Sequence, residues 1–288
     1  MERVSSKEEA RRAIGAARRE GKTIALVPTM GALHEGHRSL VHAACARANY
    51  TVVSIFVNPT QFGPAEDFSA YPRDLDRDLE ILRAEGVDLV FTPSTGEMYA
   101  ADSQVTVDPG ALASAWEGDV RPGHFTGVAT VVTKLLSIVR PDLAFFGEKD
   151  YQQLKVVERL VLDLDLAAVI VACPIVRDRD GLALSSRNAY LSADERAQAT
   201  ALCEALEAAA EALAWGQQDG GALEELMAEE ISRRPLATLE YAAVVDPATL
   251  EHMALVDRPA RALIAARIGT TRLIDNVALV PPSTKESQ

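Results

Sequence analysis

Positive charge, cysteine and long apolar runs are all scarce in this chain, and each shortage closes off a class of function. Lys and Arg number 29 against 42 Asp and Glu, a formal net charge of −13. A broad nucleic-acid surface needs a basic face for the phosphate backbone, so no nucleic-acid partner is expected. A small anionic ligand in a local basic pocket stays open. The three cysteines, Cys45, Cys173 and Cys203, are far apart and follow no zinc or disulfide spacing. They read as buried thiols, which places the chain in a reducing, cytoplasmic setting. No apolar run approaches the ~20 residues of a membrane span, so no membrane partner is expected. Residues 1–21 read as charged and helix-like without an apolar h-region, an expectation of no signal peptide.

What is present is a globular balance. Of 288 residues, 48% are hydrophobic and 25% charged, enough for one large domain or two modest ones with real cores. Residues 23–27 are a short apolar run that Pro28 should end. Residues 37–49 carry a helical stripe of Leu40, Val41 and Ala44, and residues 51–57 are a β-branched run stopped by Asn58-Pro59. The alternation continues with a helix at 75–84, an apolar run at 87–91, a helix at 128–139, a strand at 143–146, a helix at 152–162 and a strand at 169–171. Such alternation means βαβ units and a parallel sheet, with ligands at the carboxyl ends of its strands. After Pro174 the composition changes. Ser192 and Glu195 form a capping box that should open one long Ala/Leu/Glu helix. A second helix should follow Gly220-Gly221, and residues 239–245 and 262–268 read as paired strands. The expected plan is a Rossmann-like α/β domain over residues 1–175 and a smaller α+β domain over residues 176–288.

Four segments carry chemistry. Pro28-Thr-Met-Gly-Ala-Leu-His-Glu-Gly-His37 leaves the first strand for the first helix, where free N–H groups and the positive end of the helix dipole suit a phosphate. The Gly31/Gly36 spacing mimics a P-loop, but His37 and Arg38 stand where Lys and Ser/Thr belong. Two imidazoles can instead donate hydrogen bonds to phosphate oxygens. A zinc site would need a third ligand, and the metalloprotease His-Glu-x-x-His is one residue longer. Purely structural histidines are the plain alternative. Phe56-Val-Asn-Pro-Thr-Gln61 ends the second strand with an amide that could read a hydroxy acid. Phe146-Gly147-Glu-Lys149-Asp150-Tyr-Gln-Gln153 repeats the strand–Gly–helix geometry with a lysine as counter-charge. Leu184-Ser-Ser-Arg187 offers two hydroxyls and a guanidinium to a polyphosphate. Taken singly, the last three segments read as ordinary loops.

In this order, and with Arg121-Pro-Gly-His-Phe-Thr-Gly127-Val-Ala-Thr-Val-Val-Thr-Lys134, the segments resemble the pantothenate synthetase (pantoate–β-alanine ligase) family, of the His-x-Gly-His nucleotidyltransferase-like Rossmann group. The resemblance implies an ATP-dependent condensation of (R)-pantoate with β-alanine through pantoyl adenylate, releasing AMP and pyrophosphate. It implies ATP binding by Met30, Gly31, Ala32, Leu33, His34, Glu35, Gly36 and His37, with His37 the assigned proton donor and His34 its partner. ATP binding extends to Gly147, Glu148, Lys149 and Asp150, with Lys149 on the phosphates, and to Val176, Leu184, Ser185, Ser186 and Arg187. Leu184 replaces a methionine found in many members. Gln61 and Gln153 should hold pantoate, Gln61 should also border β-alanine, and Arg121 should help close the site. Mg2+ should arrive on ATP, held mainly by phosphates and water, with Asp78 the one protein candidate. A homodimer is implied. Loop 58–71, with Gly63-Pro64, is a candidate gate. The alternatives are a nucleotidylyltransferase of the phosphopantetheine adenylyltransferase type, which shares His-x-Gly-His, and a non-catalytic nucleotide-binding protein.

Overall fold

A computed structural model describes residues 1–64 and 66–282. The candidate gate includes Ala65, which lies outside the described residues. The chain forms two compact units, Met1–Ile175 and Val176–Gln288.

In the first unit the strands are β1 (Glu2–Val4), β2 (Ile24–Thr29), β3 (Tyr50–Ile55), β4 (Leu89–Phe91), β5 (Leu143–Gly147) and β6 (Val169–Cys173). Its helices are α1 (Lys7–Arg19), α2 (Glu35–Arg47), α3 (Leu75–Ala84), the single turns α4 (Thr95–Met98) and α5 (Glu117–Val120), then α6 (His124–Val139) and α7 (Tyr151–Asp163). The strands make one parallel sheet in the order β1-β4-β3-β2-β5-β6. Both faces are covered, as parallel sheets require. Alternate residues of β2 show why: Ile24 and Leu26 pack into the layer that holds Val128, Val132 and Leu136 of α6. Ala25 and Val27 pack with Leu40, Val41 and Ala44 of α2 and Leu79 and Leu82 of α3. From β2 the chain winds to β3 and β4 on one side and returns to β5 on the other, so the carboxyl ends of β2 and β5 diverge. That switch point is where an open α/β sheet forms its ligand crevice.

Several expected boundaries move, each for a physical reason. Pro28 does not stop β2. Ile24 O accepts from Asp142 on the β5 side and Thr29 O from Phe56 on the β3 side, so Pro28, in step with Ile24, turns its missing donor toward β5. Pairing with β5 has already ended at Leu26, and no ladder bond is lost. The first helix begins two residues early because His34, not a hydroxyl or carboxylate, is its N-cap. The helix expected at 128 starts at His124. The N-terminal stretch read as helix-like also contains β1, and α1 starts only after Ser6, whose capping box with Glu9 opens it.

The second unit holds α8 (Ala193–Gln198), α9 (Ala201–Ala214), α10 (Gly220–Ser232), β7 (Ala237–Val245), β8 (Ala260–Ile268) and β9 (Thr271–Leu279). The capping box at Ser192 and Glu195 forms, but the long helix expected after it breaks into α8 and α9. Strands β7 and β8 pair antiparallel, and β9, not anticipated from sequence, pairs with β8. One face of this sheet packs on Leu202, Leu206 and Leu213 of α9 and Leu223, Met227 and Ile231 of α10.

At Gly127 helix α6 runs against the 3-10 turn Pro59–Gln61. A Cβ there would stand 2.3 Å from the Thr60 carbonyl oxygen and 3.0 Å from the Gln61 nitrogen. Gly127→Ala is expected to destabilise the fold by about 1–3 kcal/mol, the scale of backbone overpacking. An unchanged urea midpoint would contradict that contact.

Candidate active site

The turn after β2 is built by its backbone. Gly31 and Ala32 both have positive φ, +81° and +51°, the left-handed region that glycine adopts without penalty. A Cβ at Gly31 would also stand 2.9 Å from Asp78 Oδ2 and 3.1 Å from Ile55. Asp78, buried on α3, accepts from Ala32 N–H at 2.9 Å and from Leu33 N–H at 2.8 Å. Burial pushes its carboxyl up, against the two backbone donors that pull it down. The one carboxylate considered for magnesium therefore uses both oxygens to hold the turn. Among the described residues no group of three or more His, Cys, Asp or Glu could hold a metal.

The turn delivers His34 to the start of α2. His34 Nδ1 accepts from the Gly36 N–H at 3.1 Å, and His37 Nδ1 accepts from the His34 N–H at 3.4 Å. The rings lie 4.1 Å apart, centroid to centroid. Each keeps some area open yet is walled in by protein. Burial, then the Lys149 charge, lowers His34 to about 4, with Asp150 and Glu35 pulling the other way. Burial, then His34, lowers His37 to about 3. Both rings are neutral at pH 7. With each Nδ1 occupied as an acceptor, the single ring proton sits on Nε2, which makes each Nε2–H a hydrogen-bond donor. The pair stands beside the other first-turn N–H groups at the positive end of α2.

Across the switch point, β5 ends at Gly147 and passes through the 3-10 turn Glu148–Asp150 into α7. The Lys149 side chain is 19% exposed, with Asp150 at 3.7 Å. Its field reaches both histidines, so the structure brings together the two segments that the sequence holds more than a hundred residues apart. Gln153, in the first turn of α7, makes no side-chain hydrogen bond among the described residues. Its neighbour Gln152 is structural: Nε2 donates to the Leu112 and Ala115 carbonyls, and Oε1 accepts from the Glu117 N–H.

Gln61 is oriented by residues whose part the sequence did not disclose. Asn58 Oδ1 accepts from Thr60 N–H at 3.3 Å and from the Tyr99 hydroxyl at 2.9 Å. Its Nδ2 must then be the end that donates to the Gly127 carbonyl at 3.2 Å and to Gln61 Oε1 at 3.0 Å. With Oε1 taken, Gln61 Nε2 has no hydrogen-bond partner among the described residues and is left to donate, the polarity that reads an anionic or hydroxyl oxygen. The Gln61 carbonyl is gripped from behind by Arg121 Nη2 at 3.2 Å and His124 Nδ1 at 2.8 Å. Arg121 also pairs with Glu66. Burial, then the Arg121 charge, lowers His124 to about 4, so its Nδ1–H donates while Nε2 accepts from Arg121 Nη1 at 3.1 Å. The long segment from Arg121 to Gly127 thus holds the Gln61 turn in place. Only its position beside Gln61 in three dimensions discloses this.

In the second unit, Val176 and Leu184 are neighbours: Leu184 N–H donates to the Val176 carbonyl at 3.0 Å. Ser185 caps the 3-10 turn Ser186–Tyr190, its hydroxyl accepting from the Arg187 N–H at 3.3 Å. Five expected nucleotide residues therefore occupy the open end of one hairpin.

Comparison with known proteins points one way. The Pantoate-beta-alanine ligase family model matches residues 2–278. The pantothenate synthetase of Rubrobacter xylanophilus is 54% identical over 270 residues, 91% of this chain and 93% of that protein. That of Nocardioides sp. is 52% identical over 96% of this chain and 84% of its own. Among solved structures, the pantothenate synthetase of Thermus thermophilus superposes with a TM-score of 0.92 at 44% identity, covering 98% of this chain and 100% of that one. The pantoate-beta-alanine ligase of Francisella tularensis, complexed with beta-gamma ATP and beta-alanine, gives 0.79 at 34% identity, covering 96% and 97%.

Neutral histidines have a measurable consequence. Where folded pKa values lie below 6.5, the unfolded chain binds the extra protons, so stability is complete above about pH 6.5 and falls as pH drops toward 4. Urea midpoints should decline from pH 7 to pH 5, and His37→Gln should flatten that slope. NMR titration midpoints near 6.5 for His34 and His37 would refute the neutral-donor reading.

Proposed function

The chain belongs to the pantoate–β-alanine ligase family and carries out an ATP-dependent ligation of pantoate to β-alanine, and we propose that it does so through an enzyme-bound pantoyl adenylate. The observation that carries the reading is the pair of neutral Nε2–H donors within the electrostatic reach of Lys149 at the β2/β5 switch point.

A carboxylate is a poor electrophile until its oxygen belongs to a good leaving group. In the first step a pantoate carboxylate oxygen attacks the α-phosphorus of ATP, the bond to the bridging oxygen breaks, and pyrophosphate leaves. Two anions must meet, so the residues around them have to be donors. His34 and His37 supply neutral Nε2–H hydrogen bonds, whereas a protonated imidazole would carry a second proton on Nδ1 and lose the backbone N–H that this atom accepts. This refines the expectation for His37: it donates a hydrogen bond to developing charge. Lys149 supplies the mobile positive charge. Met30, Gly31, Ala32, Leu33, Glu35, Gly36, Gly147, Glu148 and Asp150 form the backbone walls for the nucleotide. Val176, Leu184, Ser185, Ser186 and Arg187 are assigned to the nucleotide from the second unit. Gln61, through Nε2, and Gln153 hold pantoate, and Gln61 borders β-alanine.

In the second step the β-alanine nitrogen attacks the acyl carbon, the bond to the phosphate oxygen breaks, and AMP leaves as a proton is lost from nitrogen. Freeing such an amine near pH 7.5 costs about 4 kcal/mol if it titrates like lysine, a cost that an activated acyl group tolerates. No serine or cysteine nucleophile is required. Magnesium is assigned to the ATP phosphates, since Asp78 is engaged by backbone. A cytoplasmic location and a homodimer through the first unit belong to the same proposal; a single-chain mass by mass photometry would overturn the dimer. A nucleotidylyltransferase of the phosphopantetheine adenylyltransferase type would keep AMP in its product and is not favoured.

Pantoate-dependent pyrophosphate–ATP exchange without β-alanine, with sustained AMP release only when β-alanine is added, is the expected result. Exchange that needs β-alanine, or AMP that stays in the product, would sink the adenylate pathway. Lys149→Ala and His37→Ala should each lose about a hundredfold or more in exchange rate. A folded variant within a few-fold of the parent would remove that residue from the chemistry.

A further inference from the structure

The second unit contains an ion pair that the ligation chemistry does not use. Asp275 lies on β9, its side chain 1% exposed. The register of that strand is set by pairing with β8 along its whole length, from Thr271 to Leu279. Arg177 grips Asp275 in a fork, Nη1 to Oδ2 at 2.5 Å and Nη2 to Oδ1 at 2.9 Å. The same guanidinium donates to the Gly181 carbonyl at 2.9 Å and to the Asn276 carbonyl at 3.3 Å. Burial works against the charge of Arg177, but the Asp275 carboxylate more than offsets it.

Gly181 is the far side of a hairpin that starts at Arg177. Asp178 N–H donates to the Leu182 carbonyl, Arg177 bridges Ala183, and Leu184 N–H returns to Val176. The hairpin tip is tied separately, by Arg196 of α8 to Asp178 at 2.9 Å and Asp180 at 2.6 Å. Asn188 Nδ2 donates back to the Ala183 carbonyl at 3.1 Å. The next residue after this closed loop is Ser185. With Asp275 buried and Arg177 partly exposed, the pair is weak as a source of net stability, because desolvation of the carboxylate consumes much of its attraction. Its planar fork is strong as a source of direction. Here it ties the base of the hairpin to β9 at Asp275 and Asn276.

We propose that Arg177 and Asp275 are positioning residues that aim Ser185, Ser186 and Arg187 at the nucleotide. This rests on the assignment of that segment to ATP made above. The pair touches no substrate and acts only through the hairpin, so its loss should appear in ATP parameters and leave pantoate recognition alone.

The test uses the full chain and pantoate-dependent pyrophosphate–ATP exchange, with KM for ATP, KM for pantoate and kcat measured separately. Arg177→Met and Asp275→Asn are expected to raise KM for ATP about tenfold or more and to lower kcat, the scale of a misplaced contact group. KM for pantoate should stay within twofold, and Arg177→Lys, which keeps charge but loses the fork, should fall between. Should Arg177→Met fail to fold, the near-isosteric Asp275→Asn and the Arg177→Lys variant carry the comparison. Ser186→Ala and Arg187→Ala test the reading beneath: if they leave ATP kinetics unchanged, the segment does not hold ATP. If they impair ATP use while folded Arg177 and Asp275 variants match the parent, the positioning role is wrong. Equal losses in ATP and pantoate parameters would also overturn it, by marking the pair as general scaffolding.

Discussion

The carboxylate of Asp78 accepts the N–H groups of Ala32 and Leu33, and the arrangement of the turn between β2 and α2 depends on it. A turn that carries two consecutive positive-φ residues is not held by local preference, since Ala32 has no taste for that region. It is held by a buried acceptor from another helix. Once the turn is fixed, His34 falls at the N-cap of α2, and His37, one turn on, lies against it. Asp78 is itself placed by the crossover from β3 to β4, so a helix from a neighbouring crossover determines where two imidazoles stand.

The chemistry drawn from those imidazoles is decided by their surroundings. Exposed histidines would titrate near 6.5 and carry a mixture of charge states at neutral pH. Enclosure and the neighbouring Lys149 remove that mixture and leave two neutral donors of defined tautomer. The amide at Gln61 is handled by the same logic: Asn58 consumes its acceptor end, so its donor end is the one presented. In each case a neighbour occupies one face of an ambivalent group and so selects the other.

The two units solve different problems with different folds. A parallel sheet buried on both faces gives the first unit a switch point between β2 and β5, where the turn held by Asp78 stands. The second unit has a small antiparallel sheet with one face packed on two helices, and its hairpin at residues 177–183 is tied by ion pairs at base and tip. In both, the candidate site residues stand just past the end of regular structure.

Much of the fold could be read from periodicity alone. The β-branched runs, the helical stripes and the Ser192/Glu195 box correspond to real elements, because burial on both faces of a parallel sheet leaves a strong pattern. The errors fall where tertiary context overrides local rules: Pro28 continues a strand because its missing donor meets no ladder, and His34 caps a helix in place of a hydroxyl. The sequence by itself determined the α/β alternation, the change of composition after Pro174 and the order of segments that marks the family, all of which depend on residue type and spacing. Only the tertiary structure decided the protonation of His34 and His37, the orientation of Gln61, the engagement of Asp78 by backbone and the purpose of the Arg121–Gly127 segment. Those properties arise from contacts between residues distant in the chain, and enclosure and hydrogen-bond polarity are not carried by any single residue.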